Sequence, residues 1–269
     1  MKYAKLLALP LALCLLCGCS VMPFTTPEEQ RAVQEAAESA RLELQEQADP
    51  AQALKDDLKF RKALANSQGA VLAEYTVDFP YFSKPGQKAQ SFERINDYYL
   101  NEMAGLNQDA ESLFAAAKAY YGENWDTVTE VTQPWSVVIG YEVLEAPAGY
   151  LCVRCDYDIQ ESGQREQYSQ AQVFLLDNGW RLPLETLLGE DYEAAAPYLL
   201  EAFLKWCEDN GIEVTSPENR TLEEFSENYA LTTEGFVFYT QPFQLNNKNA
   251  SRYAIPVSLS PYRSMLELG

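Results

Sequence analysis

Residues 191–211 read DYEAAAPYLLEAFLKWCEDNG, and the organisation of the chain follows from them. Tyr192, Ala195, Ala196, Leu199, Phe203, Trp206 and Cys207 recur at helical spacing and form one apolar stripe. Glu190, Asp191 and Glu193 fall at the first turn, where free backbone N–H groups favour negative charge. Gly211 suits the C-terminal cap. Pro197 lies inside the run and predicts either a kink or a helix that starts there. Strand-like runs precede this helix and another pair follows it. An apolar stripe and the apolar face of a sheet must cover one another. The expected fold class is α+β, an antiparallel β-sheet covered by helices and preceded by a helical stalk.

Working upstream, Trp180–Leu188 leads into the helix, and Asp177-Asn178-Gly179 is a tight reversal. Before it, Trp135–Glu145, Tyr150–Gln160 and Tyr168–Leu176 are strand-forming and closely connected, which predicts an antiparallel meander. Thr127–Gln133 alternates and predicts a further strand. One or two helices are expected from Ser91 to Tyr121, stopped by Gly122. Val71, Ala73, Tyr75, Val77 and Phe79 alternate as a half-buried strand that Pro80 ends. Downstream, Thr221–Tyr229 predicts a short helix with Thr221 capping against Glu224. Phe236–Thr240 and Tyr253–Leu259 predict two strands, the second at an edge because of Pro256.

The 269 residues hold 20 Lys plus Arg against 40 Asp plus Glu, a formal charge of −20. Such a surface repels nucleic acid and anionic headgroups and attracts basic partners. The chain has no His. That excludes His-based triads, Cys-His catalysis and a His pH switch.

Lys2 and Lys5 precede an apolar run, Leu6–Leu16, that is short for a membrane span. The run ends in Leu16-Cys17-Gly18-Cys19, which resembles a bacterial lipobox. Cys19 is the expected lipidation site because Gly18 before it is small, whereas Leu16 precedes Cys17. The expected organisation is a signal peptide over 1–18, a lipidated tether and helical stalk over 19–69, and an envelope domain over 70–269. The chain would then stand on the outer face of the bacterial cytoplasmic membrane, held by an N-terminal lipid alone. From Pro27 to Asn66, Ala, Glu, Gln and Leu dominate, with Pro50 as a divider. Leu54, Leu58 and Phe60 are the large apolar residues of the second part, with Leu64 continuing the helical spacing. A spacer and a docking coiled coil both fit this stretch, and its sparse apolar stripe favours the spacer.

Three blocks carry a family resemblance. They are Phe174–Leu188 (FLLDNGWRLPLETLL), the long helix with Tyr229 and the Leu231–Tyr239 run, and Ile255-Pro256-Val257. With Tyr75–Pro80 and Ile95-Asn96 upstream, they resemble the RsiV-like extracellular domain family (DUF3298, with a preceding DUF4163-like region) of Gram-positive envelope proteins. The match spans roughly residues 70–260, and its motifs are structural rather than catalytic. The resemblance implies non-enzymatic recognition of an extracellular or envelope ligand, a basic protein such as lysozyme or a peptidoglycan component. A structural or accessory role and a glycan-binding or weakly glycan-active domain are the alternatives. Two stretches depart from the family pattern. Tyr157–Gly163 stands where relatives often show Thr-Gly-Gly-Ala-His, and Pro242–Ala250 keeps only the opening of its family counterpart.

No catalytic, cofactor or metal constellation stands out. Carboxylates are so abundant that no pair is selected as a glycosidase dyad. Asp156 and Asp158 share one strand face, expected to be wet. Cys152 and Cys155 are three apart on a strand, so they point to opposite faces, and one of them is placed to meet Cys207. A bridge from Cys207 to either and three buried free thiols both remain open. The loop at Asn246–Ser251 and the tip at Glu161–Gln164 are candidate contact loops. Tyr168, Asn246, Asn247 and Tyr253 are the candidate ligand contacts.

Overall fold

In the computed structural model the described residues are 54–83, 89–248 and 251–258, with side chains described from Asp57 onward. They belong to one compact unit, Ala53–Gly269. The expected export signal, Cys19 and residues 19–53 of the expected stalk lie outside the described residues.

Strands β1 (Leu54–Ala65), β2 (Val71–Phe82), β3 (Trp135–Leu144), β4 (Tyr150–Glu161) and β5 (Gln164–Leu175) form a five-stranded sheet in that order. β6 (Tyr229–Leu231), β7 (Gly235–Tyr239) and β8 (Ala254–Ser258) form a separate three-stranded sheet. Helices α1 (Ala89–Ala104) and α2 (Leu106–Tyr121) connect β2 to β3. The short α3 (Leu184–Leu188), the long α4 (Tyr192–Asp209) and the single turn α5 (Glu223–Ser226) lie between β5 and β6.

The α+β class stands, with three differences from the sequence reading. Leu54–Ala65 is a strand rather than a helix and pairs antiparallel with β2 over almost its whole length. Its apolar residues carry two periods at once. Leu58, Phe60 and Leu64 alternate as well as any strand, and pairing decides between the periods. Second, β2 and β3 are parallel, because the α1–α2 crossover returns the chain in the same direction. Third, residues 128–134 form no strand. They follow a 3₁₀ turn over Gly122–Thr127.

The five-stranded sheet separates two apolar clusters. On one face, Tyr75, Val77, Ile139, Leu151, Val153 and Cys155 pack with Phe92, Ile95 and Tyr99 of α1 and with Leu113 and Phe114 of α2. Asn96 locks this layer: its Oδ1 accepts from Phe82 N–H at 2.8 Å and its Nδ2 donates to Phe82 C=O at 2.7 Å. On the other face, Cys152, Ala171 and Val173 meet α4 and the three-stranded sheet. Ala195, Leu199, Phe203 and Cys207 are the buried side of α4, as the stripe predicts. Its cover, however, is mainly α5 and the smaller sheet: Phe203 stacks on Phe225 of α5 at 4.3 Å and meets Phe238 of β7 edge-on at 5.8 Å. The helix runs through Pro197 without starting there. Gly211, at φ +67°, ends it, with its N–H on Glu208 C=O and that of Ile212 on Cys207 C=O.

Candidate functional site

β5 is an edge strand, and its outer rim is closed over most of its length. In an antiparallel ladder, alternate residues turn both backbone groups toward the same side. On β5 the odd-numbered residues face away from β4. At the C-terminal end, Leu182 N–H donates to Val173 C=O at 2.8 Å and Leu175 N–H to Trp180 C=O at 3.0 Å. In the middle, Asn228 Oδ1 accepts from Ala171 N–H at 2.9 Å, while its Nδ2 donates to Ser169 C=O at 2.8 Å. Gln241 Nε2 reaches the same carbonyl at 3.3 Å. Asn228 also ties this rim to β7 through the backbone of Tyr239. Among the described residues, nothing bonds the outward N–H and C=O groups of Arg165 and Gln167.

That open stretch lines a cleft of about 240 Å³. Ile159, Glu161, Gln164, Arg165, Glu166 and Gln167 form one wall, and Pro242 and Phe243 the other. Phe243 is 55% exposed, and its backbone is left-handed at φ +63°. That conformation costs a residue with a side chain about 1 kcal/mol or more. The loop holding it is fastened on both sides. Gln244 N–H donates to Gln241 C=O, Gln241 N–H to Gln244 Oε1 at 2.8 Å, and Gln244 Nε2 to Glu224 C=O at 2.7 Å. Such a backbone persists only where the surrounding contacts over-determine it, as these hydrogen bonds do.

Arg165 is occupied with Asp158, which also accepts from Gln167 Nε2 at 2.9 Å. The Arg165 guanidinium holds the Asp158 carboxyl below the usual carboxylate range, against partial burial. Asp156, on the same face, accepts from Arg154 and from Ser169 Oγ. Among the described residues, two buried side-chain donors find no acceptor, Gln160 Nε2 and Arg252 Nη1. Glu161 and Glu166 are both exposed, unlike the buried acid that a glycosidase needs. Among the described residues, no group of three or more His, Cys, Asp or Glu is placed to hold a metal ion.

The cleft joins two stretches singled out in sequence, the Glu161–Gln164 tip and the start of Pro242–Ala250. None of the four candidate contact residues lines it. Tyr168 is half-buried and stacks on Tyr157 at 4.5 Å. Tyr253 is half-buried against the second cluster, its N–H on Thr240 Oγ1. Asn247 is exposed elsewhere on the loop. Asn246 is only 6% exposed and its Oδ1 accepts Lys248 N–H at 2.9 Å, so its side chain shapes the turn. Phe243 is the residue that sequence reasoning passed over, although it stands in the stretch where the family pattern breaks.

Cys152, Cys155 and Cys207 are buried and free, so the bridge considered from sequence is absent. Cys155 belongs to the helix-covered face and Cys152 to the opposite one, as the spacing predicts. Only Cys152 shares a cluster with Cys207. Burial pushes the thiols of Cys152 and Cys155 up to about 12 and that of Cys207 up to about 11, so none is a nucleophile near neutrality.

A larger groove, about 790 Å³, runs along α4 between Pro197, Leu200, Leu204, Ile212, Val214 and Pro217. Its lining is mainly apolar, with Glu201, Lys205 and Glu208 as its charged members. No helix among the described residues is long and apolar enough to cross a membrane.

No family model matches the chain, and no curated protein matches it. A solved DUF3298-family protein from Bacteroides fragilis does, with a TM-score of 0.53 at 14% identity, over 80% of this chain and 94% of that one. The chain has the DUF3298 fold. A DUF3298-family protein from Pseudomonas aeruginosa aligns with a TM-score of 0.48 at 15% identity, over 81% of this chain and 94% of that one. At 14% identity the likeness to the Bacteroides fragilis protein is one of fold, and the fold leaves ligand and chemistry to be argued from the cleft itself.

Proposed function

We propose that this DUF3298-fold chain is a non-enzymatic recognition protein of the bacterial cell surface. Lipid on Cys19 anchors it to the outer face of the cytoplasmic membrane, and it contacts its ligand at the β4–β5 tip and the 241–244 turn. Exposed, strained Phe243 across from the open end of β5 carries this reading. The ligand is an extracellular or envelope molecule. A charge of −20 favours a basic one, and the family resemblance points to lysozyme.

The test uses the chain from Ser20 onward and its Phe243→Asn variant. Asn tolerates the left-handed backbone, so the ring is removed without the strain. Each is titrated with lysozyme at low and physiological salt and co-sedimented with isolated cell walls. Saturable binding to either ligand that survives physiological salt and weakens about tenfold or more in the variant supports the reading. Binding that vanishes with salt, or that the variant leaves untouched, overturns it in favour of an accessory role.

A further inference from the structure

The outer edge of β5 is completed by three separate devices and then left open for two residues. Strand-like pairing with 180–182 engages Val173 C=O and Leu175 N–H, and the Asn228 and Gln241 side chains engage Ser169 C=O and Ala171 N–H. Beyond them Arg165 and Gln167 turn the same backbone groups into the cleft beside Phe243. Resting on the reading of this cleft as the recognition surface, we infer that β5 takes an extended peptide segment of a basic partner protein as a sixth strand, paired along Arg165–Gln167.

Each of the two residues offers one N–H and one C=O, so such a strand gains up to four main-chain hydrogen bonds. A cleft of about 240 Å³ is smaller than the pocket of a drug-sized ligand and suits one side chain of a chain molecule, seated against Pro242 and Phe243. Glu161 and Glu166 are exposed at its rim, and the neighbouring Arg165 is committed to Asp158. Basic residues beside the paired segment therefore meet uncompensated carboxylates. A second copy of the chain is a poor occupant. It brings another −20, and charged residues on an edge discourage self-pairing.

The probes are a fluorescent peptide of alternating Val and Thr flanked by Lys, the same peptide N-methylated at alternate residues, and a Glu-flanked version. Binding to the chain from Ser20 onward is read by anisotropy. The Lys-flanked peptide is expected to saturate, and N-methylation to weaken it about tenfold or more by removing backbone donors. Gln167→Pro should match that loss, since it removes an outward N–H and no ladder bond. Gln167→Ala, which keeps the N–H, should stay within about twofold. Absence of saturable binding by the Lys-flanked peptide, or equal binding by the N-methylated one, overturns strand addition without relying on any variant's folding. Equal binding of the Glu-flanked peptide overturns the basic partner. If Phe243→Asn abolishes lysozyme or cell-wall binding while Gln167→Pro leaves it intact, strand addition fails and the recognition reading survives. If neither variant changes that binding, both fail.

Discussion

At the scale of single residues, Gly179 shows how a turn signal conceals a packing constraint. Asp177-Asn178-Gly179 reads as a reversal, and Gly179 does take φ +74°. A Cβ there would also lie 2.3 Å from the backbone oxygen of Ser91, at the start of α1. Gly179→Ala therefore meets both a left-handed backbone and an immovable carbonyl. The expected cost is about 2 kcal/mol or more in urea unfolding, and a loss under about 0.5 kcal/mol would show that α1 stands off the turn. Tyr141 makes a different argument. Its hydroxyl on β3 donates to Asp57 on β1, across the intervening strand. That bond, aided by Lys59 and opposed by partial burial, lowers the Asp57 carboxyl below its ordinary 3.8. A depressed carboxylate stabilises the fold above the unfolded-state value, and the benefit is lost as pH falls through the folded-state value. Tyr141→Phe should cost about 1 kcal/mol near neutrality, discounted because Asp57 is about one-third exposed. The difference from the parent should shrink toward zero once pH has fallen through the lowered folded-state value. An equal loss at both pH values would mean that Tyr141 acts by packing alone.

At the scale of elements, β1 decides where the folded unit begins. A boundary at residue 70, drawn from helical composition, would discard β1 and bare the outer edge of β2. It would also remove Leu58, Phe60 and Leu64 from the first cluster. Three partly buried apolar side chains are worth about 4 kcal/mol together, or about 10 °C in a domain of this size. A chain starting at Ala53 should melt where the chain from Ser20 does, and one starting at Ala70 should melt at least about 10 °C lower or aggregate. Equal melting of all three would show that β1 is dispensable. The reason the sequence suggests a helix at β1 is physical. LKDDLKFRKALA has strong helix formers, and only its partner strand makes it extended. By contrast, α4, the β3–β5 meander and the opposed faces of Cys152 and Cys155 were legible, because each rests on local periodicity. The division into two sheets and the parallel β2–β3 pair were not, since both depend on contacts distant in sequence. The cleft was half legible. Its two loops stand out as departures from the family pattern, but the open backbone of Arg165 and Gln167 is a matter of register, which no residue type announces.

At the scale of the whole molecule, the charge of −20 works on stability and on association in opposite directions. The described ion pairs run from the exposed Lys205–Asp209 to the half-buried Arg220–Glu224, and the exposed ones are individually weak. Repulsion among the surplus carboxylates should outweigh them, so added NaCl should raise the melting temperature between about 0.02 and 0.3 M. A falling melting temperature would mean that the ion pairs dominate. Capture of a basic partner should respond the other way. Long-range attraction speeds encounter and is screened within about 10 Å at 0.1 M salt, whereas main-chain hydrogen bonds on an edge strand are short-ranged. Salt should therefore slow association of the Lys-flanked peptide several-fold while its dissociation rate stays nearly constant. Stopped-flow anisotropy at several salt concentrations separates the two rates. Dissociation that accelerates as strongly as association slows would place the holding energy in charge pairs rather than in the open edge of β5.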